Sequence, residues 1–269
     1  MFSSGAGSAV AGKRVAHVHG TDDLILLFAD VNMEHPDNYR FLRESAEWVG
    51  GQLIILDNDG KTIWDAFREG RFLGNSRVDL CSRTLKREPM RKWLDDNCDP
   101  ATTTVHLGFD ISEEHRIERA APHWVPWRVE APLCWDPPIW KDQALQLLVD
   151  SGIEPPLLTR QGFPHANCGG GCVKAGIGQF RKLLALAPET YAQWEAEENK
   201  MRRFLDKDVS ILRDRRGGEV TPLTLEDLRW KIEQEQEDEL NALLKDDEGD
   251  SCNCMGDYST ETSVQIGSA

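Results

Sequence analysis

Cys168 and Cys172 stand in the run His-Ala-Asn-Cys-Gly-Gly-Gly-Cys-Val-Lys-Ala at residues 165–175, with only glycine between them. Thiolates are soft metal ligands and good nucleophiles. Glycine admits positive φ, so the two sulfurs can turn toward one point. The spacing points to a thiolate-bound metal or iron–sulfur cluster, with a redox dithiol or plain packing as the alternatives. Closed thiolate sites take four ligands. Cys81 and one of Cys252 or Cys254 can complete the set; Cys134 is a weaker candidate and Cys98 reads as structural. His165 suits a ligand or a proton shuttle, and His115, between Glu114 and Arg116, a solvated or crevice position. Seven cysteines in a chain whose first residues do not read as a secretory signal favour metal or redox chemistry over disulfides.

A second run, Phe2-Ser3-Ser4-Gly5-Ala6-Gly7-Ser8, precedes a helical stretch. Backbone N–H groups at a helix start, glycine for close approach and serine hydroxyls together make an anion site. No Gly-Lys-Ser/Thr follows, so it is not a Walker loop. The plainer reading is a small-residue tail. A third segment, 81–89, reads Cys-Ser-Arg-Thr-Leu-Lys-Arg-Glu-Pro. Its Arg83 and Lys86 can hold phosphate or sulfate oxygens; the alternative is a solvated basic helix face around one buried cysteine. With Arg77, Arg87, Arg91 and Lys92 they form a basic cluster in an acidic chain.

The elements that must position these residues follow from periodicity. Residues 24–29 and 53–56 are continuous apolar runs, expected as buried parallel strands, and 103–107 as a third strand. Helices are expected at 9–19, from Pro36 to the Gly50-Gly51 pair, at 63–67, 85–94 and 142–149, over much of 179–205, and at 224–244 with Thr224 as N-cap. Residues 209–212 read as a short strand. Segment 122–140, with four tryptophans and five prolines, reads as ordered but irregular. Alternating strands and helices imply an α/β fold with a doubly wound, mostly parallel sheet and a C-terminal helical extension. The expected organisation is a nucleotide-binding domain at 1–164, a cysteine-motif and helical extension at 165–245, and an acidic, disordered tail at 246–269. In such sheets ligands sit beyond the carboxyl ends of the strands, where Asp30, the residues after Leu56, and 108–116 fall.

The chain has 269 residues and a formal charge of −15. That balance argues against non-specific duplex DNA binding, which needs cations to neutralise phosphates. No apolar run approaches the roughly 20 residues of a membrane span, so no membrane partner and a cytoplasmic location are expected.

Taken together, the motifs resemble the phosphoadenosine-phosphosulfate (PAPS) reductase family, with its phage and bacterial relatives, of the PP-loop superfamily of adenine nucleotide α-hydrolases. The family's loop reads roughly Ser-Phe-Ser-Gly-Gly-x-Asp-Ser. Residues 2–8 match it with Ser4 in place of a glycine and Gly7 in place of the aspartate. Leu27-Phe28-Ala29-Asp30 resembles the family's Phe-x-Asp, and segment 81–89 its Cys-Cys-x-x-Leu-Lys-x-x-Pro, with Ser82 for the second cysteine. Leu107-Gly108 followed by Glu113, Arg116 and Arg119 resembles its Gly-x-Arg-x-x-Glu-Ser region. Residues 130–133, 152–156, 161–163 and then Cys168 and Cys172 follow the family's order, with the last spacing one residue longer. The family's strand ahead of the loop has no counterpart, so either an upstream start or a sheet one strand short is expected.

The resemblance implies a PP-loop ATP pyrophosphatase or PAPS-reductase-like enzyme binding ATP or a PAPS-like adenosine nucleotide. Ser3, Ser4, Gly5, Gly7 and Ser8 would lie at the phosphates and Asp30 on the adenosine side. Lys86, Arg83 and Arg116 would offset developing negative charge. Cys81, Cys168, Cys172 and Cys252 or Cys254 would hold a 4Fe–4S cluster, or zinc, or carry sulfur. The reaction would be adenylation coupled to sulfur transfer, or thiol-linked reduction. Two alternatives stand beside it: a true phosphoadenylyl-sulfate reductase using Cys252 or Cys254, and a non-catalytic zinc-stabilised module. The sulfur or adenylyl acceptor, whether tRNA, DNA or a metabolite, is left open, as is a homo-oligomer.

Overall fold

The run Ile25-Leu26-Leu27-Phe28-Ala29 forms a strand whose alternate side chains enter two different apolar layers. Leu26 and Phe28 join Phe2, Val10, Phe41, Leu42, Leu133 and Leu148 on one face. Leu27 and Ala29 join Met90, Leu94, Val105, Trp124 and Trp127 on the other. A strand covered on both faces needs apolar residues at every position, which is why this stretch does not alternate. Burying each large side chain contributes up to about 1.5–3 kcal/mol.

The structure is a computed structural model, and it describes residues 1–74, 78, 80–164, 166–215 and 218–247. The strand just described, β1 (Ile25–Ala29), pairs in parallel with β2 (Gln52–Leu56), Ile25 opposite Gln52 and Ala29 opposite Leu56. A second parallel pair joins β3 (Thr104–His106) and β4 (Arg128–Glu130). Between the pairs lie the first two residues: Phe2 N–H donates to Leu27 O at 2.8 Å, and the Met1 amine to His106 O at 2.8 Å. The fold is thus α/β with small parallel sheets and much helix.

Helices α1 (Ala6–His19), α2 (Pro36–Val49) and α7 (Lys141–Asp150) supply the first apolar layer. Pro36 opens α2 behind the N-cap His35, and Gly50, at φ 89, closes it. Next come α3 (Ile63–Glu69), α4 (Leu80–Ser82) and α5 (Glu88–Asn97), the last carrying Met90 and Leu94 into the second layer. Short α6 (His115–Ala120) and α8 (Leu157–Arg160) flank longer connections. The chain then forms α9 (Ile177–Leu186) and α10 (Pro188–Leu205), the antiparallel pair β5 (Leu212–Asp214) and β6 (Thr221–Leu223), and α11 (Leu225–Asp247). Buried Glu198 of α10 joins these parts, accepting from Ile211 N–H (2.8 Å) and Leu225 N–H (2.6 Å). Met1–Leu228 forms one unit; in the second, Arg229–Ala269, the described residues continue α11 with an Arg229–Glu233 pair at 3.0 Å.

Several sequence expectations need correction. The strand at 52–56 is half exposed, with Ile55 at 45 %, so it is an edge strand and not a buried one. Segment 122–140, expected to be irregular, contains β4, whose three residues are too few to show alternation. The helix expected at 85–94 belongs to a helical run from Leu80 to Asn97, and the strand expected at 209–212 lies at Leu212–Asp214. Thr224 does cap α11, its Oγ1 accepting from Asp227 N–H at 3.0 Å. The tail expectation at 246–269 falls, from residue 248, outside the described residues. Among the described residues no helix is long and apolar enough to cross a membrane.

Candidate functional site

The helical run from Leu80 to Asn97 contains Pro89. Proline has no N–H to give, and its ring meets the carbonyl four residues back, here that of Leu85. The helix answers by widening into a π turn over Arg83–Arg87, with Glu88 N–H bonded to Arg83 O. The Leu85 carbonyl left over accepts from Asn58 Nδ2 at 2.9 Å. The same amide donates to Asp30 O at 2.8 Å. Asn58 does this from φ 55, a left-handed conformation that asparagine tolerates better than most residues. One side chain thus ties the end of β1 to the turn that carries Lys86. Such π turns recur at functional sites.

Lys86 Nζ lies 3.6 Å from Glu34 Oε1, and the Glu34 side chain is 1 % exposed. The other Glu34 oxygen accepts from Cys168 N–H at 2.9 Å and Asn38 Nδ2 at 3.2 Å. Asn38 also donates to Ala166 O at 2.9 Å. Cys168 and Gly169 both adopt positive φ, 53° and 65°. Glycine does so freely; for cysteine the conformation costs about 1–2 kcal/mol, and the Glu34 bond to its N–H helps to hold it. Gly170 O accepts from Gln179 Nε2 at 2.6 Å. Gly171 lies flat on Trp194, where a Cβ would come within 2.4 Å of the indole.

The structure therefore gathers Cys81, Lys86, Cys168 and Cys172, all expected site residues, and adds Glu34. Cys81 and Cys168 are buried, Cys172 partly so, with its Sγ accepting from Lys174 N–H at 3.5 Å. Burial, then the Glu34 charge, pushes the Cys168 thiol well above its ordinary value, with Lys86 opposing. Burial, then Cys172, raises the Cys81 thiol, with Lys86 again opposing. Burial would lower the Lys86 ammonium, but Glu34 and the three cysteines together outweigh it and raise it. These groups come from three separate stretches of sequence and lie within one another's electrostatic field. A set of thiols beside an ammonium suits a thiophilic metal or cluster in its chemistry. Among the described residues, no group of three or more His, Cys, Asp or Glu stands in a metal-holding arrangement. Cys252, Cys254, His165 and Arg77 lie outside the described residues.

The serine loop builds a second site. Ser8 Oγ shares its one proton between Ser3 O (2.5 Å) and Gly5 O (2.9 Å) and accepts from Ser3 N–H (3.1 Å), closing the loop on itself. Ala6, Gly7 and Ser8 form the first turn of α1, so their N–H groups have no intrahelical acceptor. Gly7 and Gly108 abut: a Cβ on Gly7 would lie 3.0 Å from Gly108 O. A cavity of about 280 Å³ opens here, lined by Ser3, Ser8, Gly108 and Arg116 among others. Arg116 pairs with Glu113 and stacks 4.4 Å from the centre of the Phe109 ring. Sequence motifs about a hundred residues apart thus share one cavity.

Ser4 is buried behind the loop. Asp30 is also buried, its Oδ1 accepting from Asn32 N–H and Tyr39 O–H, each at 2.8 Å; it does not line this cavity. Arg83 is exposed, 3.5 Å from Glu88, and lines neither this cavity nor the larger one beside Cys168. Cys134 Sγ lies 3.7 Å from Phe109 O, and Cys98 is half-buried near Thr103. Sequence reasoning missed Glu34 and Asn38, and reached Asn58 only as one of the residues after Leu56 expected at the crevice. All three follow carboxyl ends of β1 and β2, the place where ligands collect in open α/β sheets, and that rule was the available signal. No protein-family model and no curated protein matches this chain.

Proposed function

We propose that the chain is a nucleotide-using enzyme similar to PAPS reductases and other PP-loop ATP pyrophosphatases, with a doubly wound sheet and a cytoplasmic location. In this reading, phosphates or sulfate of ATP or a PAPS-like nucleotide lie against the 3–8 loop and Arg116, with Asp30 shaping the adenosine side. Open N–H groups at the start of α1 and the Arg116 guanidinium favour an anion there. The two parallel pairs, with Met1 and Phe2 hydrogen-bonded between them, support the sheet assignment.

The observation that carries the reading is the meeting of Lys86, Glu34, Cys81, Cys168 and Cys172. Cys81, Cys168 and Cys172, with Cys252 or Cys254, would hold an iron–sulfur cluster, which when bound supplies a soft, charge-delocalising centre for sulfur chemistry. Lys86 keeps a positive charge beside the thiols, and Glu34 holds both Lys86 and the Cys168 backbone. Without a metal, burial keeps Cys168 protonated at neutral pH, so loading would release protons. Arg83, exposed and paired with Glu88, would act only on a ligand reaching the surface of the π turn.

The test is anaerobic purification followed by iron, sulfide and zinc analysis, with ATP binding on the same sample. About four irons and four sulfides per chain are expected, lost in Cys168→Ala with the circular dichroism retained. Arg116→Ala should weaken ATP binding about tenfold, the size of one lost charged hydrogen bond. A fully loaded Cys168→Ala protein would sink the cluster assignment. One zinc and no iron, with ATP bound but not turned over, would favour a non-catalytic module.

A further inference from the structure

A larger cavity, of about 650 Å³, lies beside the thiol loop and is separate from the serine-loop cavity. Cys168 and Gly169 line one part of it, and Trp64 and Trp194 another. The two indoles meet edge to face with centroids 5.1 Å apart, and Gly171 is pressed against Trp194. The thiol loop and this cavity wall are therefore packed as one unit.

The cavity's charges are balanced. Arg68 lies 2.8 Å and Lys200 2.6 Å from the same acid, Glu197; Arg68 also pairs with Asp65 at 3.0 Å, and Glu34 on the wall is matched by Lys86 at 3.6 Å. Arg68 and Lys200 are each about half exposed, 41 % and 56 %. Exposed pairs of this kind are weak, so the charges of a ligand can replace them. Nucleic acid is a poor occupant, because it calls for an excess of cations, whereas Arg68 and Lys200 each already stand with an acid. A molecule carrying both a carboxylate and an ammonium matches the alternation of Arg68, Glu197 and Lys200. The volume falls in the range of small-molecule sites.

We propose that this cavity binds the second substrate, and that this substrate is a small peptide-like zwitterion, its carboxylate at Arg68 or Lys200 and its ammonium at Glu197. The inference rests on the nucleotide-using enzyme proposed above, whose sulfur or adenylyl acceptor is open among tRNA, DNA and a metabolite, and narrows that acceptor to an amino-acid or short-peptide class.

The test is calorimetric titration of the full chain at low salt with a panel of Ala-X dipeptides, their N-acetyl and C-amide derivatives, and a single-stranded RNA oligonucleotide. At least one dipeptide should bind at least tenfold more tightly than either of its singly charged derivatives, and the RNA should not compete. Thr190→Trp, which fills the cavity from α10, and Lys200→Glu should each weaken that binding about tenfold with unchanged circular dichroism. Binding of no dipeptide, equal binding of the three charge forms, tighter binding of RNA, or indifference to Thr190→Trp would each overturn the proposal. Metal content and ATP binding are measured on the same samples. A chain that holds metal and ATP but no dipeptide overturns this inference alone. One that binds the dipeptide without metal or ATP overturns only the enzyme reading.

Discussion

Two glycine-rich loops border cavities in this molecule, and they are held by opposite means. The loop at residues 3–8 is closed by its own serines: all four partners of Ser8 Oγ lie within five residues. The loop at residues 168–172 is held from outside, by Glu34 from the β1–α2 connection, Gln179 from α9 and Trp194 from α10. A self-closed loop keeps its shape when its surroundings change. An externally braced loop depends on distant residues for its shape, and its thiols sit in their field.

The difference can be broken most strongly at Glu34. Glu34→Ala removes the acceptor of Cys168 N–H and Asn38 and the counter-charge of Lys86. It should cost about 2–4 kcal/mol in urea unfolding, toward the lower end because Lys86 keeps 30 % of its side-chain surface in solvent. Next is Gly171→Ala, whose methyl would meet Trp194 at 2.4 Å. A loss of about 1–3 kcal/mol is expected, with a change in tryptophan fluorescence.

Alkylation in the metal-free protein sharpens the contrast chemically. The Cys168 thiol is raised well above its ordinary 9.0, so iodoacetamide should modify it at least about tenfold more slowly at pH 8 than a free thiol. A folded-state value above the unfolded one also means stability present below pH 9 and lost as pH rises through the folded value. That alkaline loss should shrink in Cys168→Ser, read by thermal melts across pH. Asn58→Gly keeps the left-handed backbone but frees two carbonyls, Leu85 and Asp30. About 1–2 kcal/mol should be lost, together with ATP or metal affinity. The smallest effect is expected at Gly5→Ala, where the new methyl finds Ser3 Oγ at an ordinary 3.4 Å; a shift under about 1 kcal/mol is expected.

The same contrast explains what was legible in the sequence. β1 could be read because burial on both faces forces an unbroken apolar run, and α2 because Pro36 and Gly50 mark its ends. The serine loop was legible because its partners are neighbours in the chain. Cys81, Lys86, Cys168 and Cys172 were visible as residue types, but nothing local announced that Glu34 would join them across 134 residues. The short β4 escaped because pairing with β3, not its own pattern, makes it a strand. The role of Asn58 escaped because it is to serve a carbonyl that Pro89, 31 positions later, leaves unpaired.

The π turn also fixes an angle. In a helix of 3.6 residues per turn, side chains five positions apart diverge by about 140°. A turn closed from each residue to the fifth one on is wider and winds through a smaller angle per residue, so it narrows that divergence. Cys81 and Lys86 are five apart, and each alters the other's protonation. Cys81 stands two residues ahead of the π turn and Lys86 within it, so the wider turn beside Pro89 rotates the ammonium back toward the thiol's side of the helix. A regular helix with alanine at position 89 would gain a hydrogen bond and aim its lysine away.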